Sequence, residues 1–173
     1  MENKIKVMIT EDEIAKRIKE MGEQISKDYE GKTIHLICIL KGSVFMACEL
    51  AKNITLPVTM DFMSVSSYGD GTESSGRVRI VKDLDQSVEG KDILVIEDIV
   101  DSGKTLAFLM DLLKARNPKS IKLCTLLDKP ERRVTEVPVD YTGFVIPDEF
   151  VVGFGLDCAQ NYRNLPYIGA VEK

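Results

Sequence analysis

Residues 93–106, ILVIEDIVDSGKTL, place the apolar run Ile93-Leu94-Val95-Ile96 before two adjacent acids, a third acid at Asp101, and then Ser102-Gly103-Lys104-Thr105. The apolar run has strand length and the Ser-Gly-Lys-Thr stretch suits a helix start, so the segment reads as a buried strand leading into a helix. Its last letters match the close of a nucleotide P-loop. That reading fails at Asp98, because GxxxxGK[ST] needs glycine there to turn tightly around the β-phosphate. Glu97 and Asp98 would also repel the polyphosphate. The residues suit a divided site instead: the amides and hydroxyls of Ser102 to Thr105, at the positive end of a helix, suit one phosphate monoester. Glu97 and Asp98 suit a vicinal diol, or a metal held through it. A phosphorylated ribose has both features.

Outward from this stretch the chain alternates strands and helices. Thr10-Glu11-Asp12-Glu13 has capping-box spacing, Ile14, Ile18, Met21 and Ile25 keep helical spacing, and Gly31 lies just beyond the helix end. Residues 33–40 form a continuous apolar run, as expected of a strand covered on both faces. Residues 43–53 predict a helix and 58–67 a strand. Residues 66–76, SSYGDGTESSG, offer almost no apolar anchor and predict a mobile loop. Strand character resumes over 77–81, 92–96 and 121–127, with a helix over 105–116 ended by Asn117-Pro118. This alternation predicts an α/β fold with a mainly parallel central sheet flanked by helices, and ligand binding where loops leave the carboxyl ends of the strands. The loops of interest are those at Lys41-Gly42, at residues 97–104, and from Asp128 onward.

With 173 residues and 44% hydrophobic content, the chain suits one domain, residues 1–173. A net charge of -5 and a pI near 5.0 argue against a surface built for nucleic acid or anionic lipid, which select for clustered Lys and Arg. MENKIKVMITEDE lacks the apolar run of a signal peptide, and no segment reaches the roughly 20 apolar residues of a membrane helix; a cytoplasmic protein is expected. Cys38, Cys48, Cys124 and Cys158 form no CxxC pair, and the first three lie in apolar segments, so reduced thiols packed as small hydrophobes are expected. His35, inside TIHLICIL, reads as a satisfied structural histidine.

EDIVDSGKT at 97–105 resembles the phosphoribosyl pyrophosphate (PRPP) signature of type I phosphoribosyltransferases. LKGS at 40–43 resembles that family's pyrophosphate loop, SSYG at 66–69 the start of its flexible catalytic loop, and IPDEFVVGFGLD at 146–157 its purine-binding segment. Together they resemble the hypoxanthine-guanine branch. The resemblance implies the family's Rossmann-like fold, with a small hood built from terminal segments. It also implies transfer of the 5-phosphoribosyl group of PRPP to N9 of hypoxanthine or guanine, with Mg²⁺, in a homodimer or homotetramer. Glu97 and Asp98 would hold the ribose hydroxyls and metal, and Asp101 to Thr105 the 5′-phosphate. Asp101 would take or share the N7 proton of the base. A non-proline cis peptide is implied at Lys41-Gly42, facing pyrophosphate together with Arg163. Lys129 would bond the purine O6, Phe150 would stack on the base, Val151 would offer backbone groups to its edge, and Asp157, also a purine-binding residue, would hold a second Mg²⁺ through the pyrophosphate. Ser67 and Tyr68 would belong to the lid. The sequence ends on YIGAVEK, as a short form of the family would.

Two other classes compete. A regulatory protein that kept the motif to bind RNA or DNA should show a basic patch or an added segment, and this acidic chain shows neither. A phosphate-binding NTPase is opposed by Asp98.

Overall fold

In Ile34–Leu40 (β2), side chains alternate between two covered faces, which is why the whole run is apolar: Leu36 and Cys38 enter one core, Ile37 and Ile39 the other. The computed structural model describes residues 3–67 and 78–172. Strand β2 lies between Val58–Ser67 (β3) and Asp92–Val100 (β5), parallel to both, with Ile34 opposite Val58 and Asp92. Beyond β5 follow Ser120–Asp128 (β6) and Tyr141–Val145 (β7), also parallel, while Val78–Lys82 (β4) closes the far edge antiparallel to β3. The expected parallel α/β sheet is therefore present, in the order β4-β3-β2-β5-β6-β7.

Helix Glu11–Asp28 (α1) begins at Thr10, whose hydroxyl accepts from the Glu13 amide (3.2 Å) and meets the Glu13 carboxylate (3.1 Å). Its buried stripe Ile14, Ile18, Met21 and Ile25 packs with Val44–Lys52 (α2) against one sheet face. Lys104–Lys114 (α3) covers the other with Leu106, Leu109, Met110 and Leu113. A second sheet, antiparallel, joins Ile5–Ile9 (β1), Ile168–Val171 (β9) and Val151–Val152 (β8) and supplies the hood made from terminal segments.

Several expectations need correction. Strand β5 continues to Val100, because its pairing with β6 runs on through Glu97 to Thr125 and Val100 to Asp128; Glu97 and Asp98 are strand residues and not loop residues. Cys38 and Cys124 are buried and Cys158 is half-buried, but Cys48 is exposed, since α2 turns Met46, Ala47 and Leu50 inward and Cys48 away. All four thiols are free. His35 is buried with one ring nitrogen satisfied, Nδ1 against Thr59 Oγ1 at 2.7 Å, while Nε2 has no partner among the described residues. Burial lowers its pKa, so the ring is held neutral.

The end of α1 is tied to β7 by Tyr141, whose hydroxyl donates to Asp28 at 2.6 Å. That bond is the main reason the Asp28 carboxyl is held below its ordinary range. A group with a depressed folded pKa stabilises above its unfolded pKa and ceases to as pH falls through the folded value. Tyr141→Phe is thus expected to cost about 0.5–1 kcal/mol at pH 7, at the low end because Asp28 is exposed, with the gap to wild type closing below about pH 4. Chemical denaturation at pH 7 and pH 3 checks it.

Candidate active site

The carboxyl ends of β2, β5 and β6 converge at one end of the sheet, and each contributes a different kind of group. From β5 come Glu97 and Asp98, adjacent and without a cation bonded to either carboxylate among the described residues. The Asp98 amide donates to Glu97 Oε1 (3.2 Å) and the Ile99 amide to Asp98 Oδ1 (2.6 Å). Burial, then repulsion from Asp98, raises the Glu97 pKa well above its ordinary range, and burial raises that of Asp98. Such a pair is short of positive charge and of hydrogen-bond donors, which a divalent cation or a diol supplies.

After β2 the chain turns at once. The peptide bond Leu40-Lys41 is cis, one bond earlier than the Lys41-Gly42 position expected. Ser43 is buried and spends its hydroxyl on Ile39 O (2.6 Å), which closes the turn and starts α2. Gly42 presses on the strand end: a Cβ there would stand 1.7 Å from Asp98 Oδ2.

Between β5 and α3 the chain passes through Asp101, Ser102 and Gly103. Gly103 is the helix N-cap in left-handed backbone (φ 84°), and a Cβ on it would lie 2.2 Å from Thr135 O, so glycine is required on both counts. Gly103 has no side chain with which to cap α3, and a helix start leaves first-turn amides without intrahelical partners. The Ser102 hydroxyl accepts from the Lys104 amide (3.4 Å), and Thr105 lies in the first turn. The loop is clamped from behind by a segment the sequence reading passed over. Val134 and Thr135 amides both donate to Ser102 O (2.9 and 3.0 Å). Arg133 donates to Asp101 O (3.2 Å) and pairs with Asp128 at the end of β6. Arg132 Nε reaches the Asp101 carboxylate itself (3.2 Å). The two arginines after DKPE read as mere surface charge in sequence, where nothing marks which carboxylates they meet.

At the end of β6, Lys129 is buried (7% exposed) with its ammonium 4.0 Å from Asp148. A cavity of about 1030 Å³ is lined by Asp101, Lys129, Arg132, Asp148, Phe150 and Cys158 among others. Phe150, 54% exposed, leaves a ring available at its wall. Val151 is buried and paired with Ala170 on β9, and Val152 is core. Asp157 and Arg163 do not line that cavity; they pair with each other (3.4 Å), and the Arg163 charge is felt at Asp98. Lys41 is exposed and lies on the Arg163 side, within reach of Gln160 (3.4 Å). Ser67 ends β3, and Tyr68 lies outside the described residues, as does most of the loop expected to be mobile.

No group of three or more His, Cys, Asp or Glu among the described residues could hold a metal by itself. The pair Glu97 and Asp98 nevertheless fits Mg²⁺, which usually takes one or two carboxylates and completes its shell with water and substrate phosphate. Asp157 is already engaged by Arg163.

A phosphoribosyl transferase domain model matches residues 8–159. A hypoxanthine-guanine phosphoribosyltransferase of Streptococcus pyogenes is 51% identical over 97% of this chain and 93% of its own length. The crystal structure of a hypoxanthine-guanine phosphoribosyltransferase from Bacillus anthracis superposes with a TM-score of 0.94 at 49% identity, covering 99% of this chain and all of that one. The bifunctional protein TilS/HprT of Listeria monocytogenes is 55% identical over 96% of this chain, which spans about a quarter (26%) of that protein's length. The chain belongs to the phosphoribosyltransferase family. Within it, the chain falls in the hypoxanthine-guanine branch.

Proposed function

We propose that this chain transfers the 5-phosphoribosyl group of PRPP to N9 of hypoxanthine or guanine, giving IMP or GMP and pyrophosphate. The observation that carries the reading is that Asp101, Lys129 and Phe150 line one cavity beside the start of α3. The 5′-phosphate sits on the amides and hydroxyls of Asp101 to Thr105 and the helix dipole. Glu97 and Asp98 hold the ribose hydroxyls and favour the positive charge that develops at C1′ as pyrophosphate leaves. Glu97 and Asp98 would hold one Mg²⁺ and Asp157 a second through the pyrophosphate; bound there, the metal would neutralise the leaving group. Lys41, Gly42 and Arg163 face pyrophosphate, the guanidinium fork suiting paired phosphate oxygens. The base stacks on Phe150, reaches Val151 with its edge, and gives its N7 proton to Asp101 as N9 attacks. Ser67 and Tyr68 belong to a lid that keeps water from the activated sugar. A cytoplasmic setting fits four free thiols, and a homodimer or homotetramer completes the reading.

The test is nucleotide formation from PRPP with hypoxanthine, guanine, xanthine or adenine, with Mg²⁺ and with chelator. IMP and GMP should form only with Mg²⁺, and AMP should not. Absence of base-dependent pyrophosphate release would overturn the reading. Lys129→Met should lower kcat/KM for hypoxanthine by roughly 10- to 100-fold, the loss of a charged hydrogen bond, while leaving KM for PRPP near wild type.

A further inference from the structure

Lys41 and Arg163 come from opposite ends of the chain yet donate to one atom. Gln160 Oε1 accepts from Lys41 Nζ at 3.4 Å and from Arg163 Nη2 at 3.2 Å. Two cations brought together repel, and each long side chain loses rotamer freedom when held. A neutral amide oxygen is an acceptor both can share without either charge being cancelled. A carboxylate at that place would pair with them and compete with an incoming diphosphate. Two further Arg163 donors fix its plane, Nη1 to Gly155 O at 2.6 Å and Nη2 near Asp157 Oδ1 at 3.4 Å.

The backbone of Gln160 is equally specific. Cys158 and Asn161 exchange N–H and C=O bonds (3.0 Å each way) across a two-residue turn whose central residues, Ala159 and Gln160, both have positive φ (50° and 69°). That turn favours Asn-Gly, and a longer side chain in left-handed backbone persists where its surroundings hold it. Here the Gln160 amide donates to Asp157 Oδ2 at 2.8 Å, so one residue orients the acid as well as both cations.

We propose that Gln160 is a positioning residue of the pyrophosphate subsite, holding Lys41 and Arg163 at the separation that receives the diphosphate of PRPP; this rests on the transfer reaction proposed above. The test is Gln160→Gly, which suits the positive φ and removes the side chain alone. Its melting temperature should equal or exceed that of wild type. KM for PRPP, and Kd for pyrophosphate with Mg²⁺ by calorimetry, should each rise about tenfold, the scale of one or two charge-assisted hydrogen bonds. KM for hypoxanthine should stay within about twofold, since Gln160 does not line the base cavity. Unchanged KM for PRPP and unchanged pyrophosphate affinity would overturn the inference, as would a lower melting temperature with both substrate KM values raised alike. Wild-type protein that forms no IMP would instead remove the reaction, while calorimetry with pyrophosphate would still report on Gln160.

Discussion

Gly42→Ala is expected to lower kcat/KM by roughly 10²-fold or more, the scale on which a displacement of about 1 Å in a reacting group is felt. The added methyl would sit 1.7 Å from Asp98 Oδ2 and 2.8 Å from its Cγ. Asp98 cannot retreat freely, because its other oxygen accepts from the Ile99 amide and its backbone lies in β5 between Glu97 and Ile99, both paired with β6. The loop cannot retreat either, since Gly42 O already lies against Gly155 on its far side. The strain must therefore move either the ribose acids or the pyrophosphate loop, and both lie at the reaction centre of the proposed function. Overpacking of this kind also costs about 1–3 kcal/mol of stability. Steady-state kinetics with a thermal melt separates the two effects. Wild-type turnover in the alanine variant would mean that the strand end and the loop can part without consequence.

Asp101→Asn is expected to lower kcat by roughly 10²- to 10³-fold, within the usual range for a lost general base. The amide keeps the shape of the carboxylate but cannot take the N7 proton. The substitution also breaks the ion pair with Arg132, but both partners are about half exposed and such a pair contributes little, so the melting temperature should hardly change. KM for PRPP should also stay near wild type, because the 5′-phosphate is held by amides that the substitution leaves alone. Nearly unchanged kcat would remove Asp101 from the chemistry and leave it as a loop residue.

Much of this site was legible in the local sequence. The carboxylate pair, the proposed phosphate cradle and the strand-to-helix turn occupy one short run, and Gly103 within it is where left-handed backbone is found. The apolar runs named β2 and β6 to within a residue, because a strand covered on both faces is largely apolar. What was lost lay at the margins. The carboxyl end of β5 looked like loop because Glu97 and Asp98 are charged, although neighbouring strands supply the backbone partners that keep it extended. Strands β1, β7, β8 and β9 are short, and nothing in their own residues names the distant partners they pair with.

The sequence by itself determined the alternating parallel fold, the capped first helix and the ribose-phosphate signature. Periodicity, caps and turn glycines act between residues a few positions apart. Only the tertiary structure decided that Gly42 abuts Asp98, that Arg132 and Arg133 clamp the Asp101 loop, that Phe150 overhangs the same cavity as Lys129, and that Gln160, 119 residues beyond Lys41, joins it to Arg163. Those contacts depend on which strands lie side by side and where the hood closes. That arrangement is set by burial summed over the whole chain, and no stretch of residues records it.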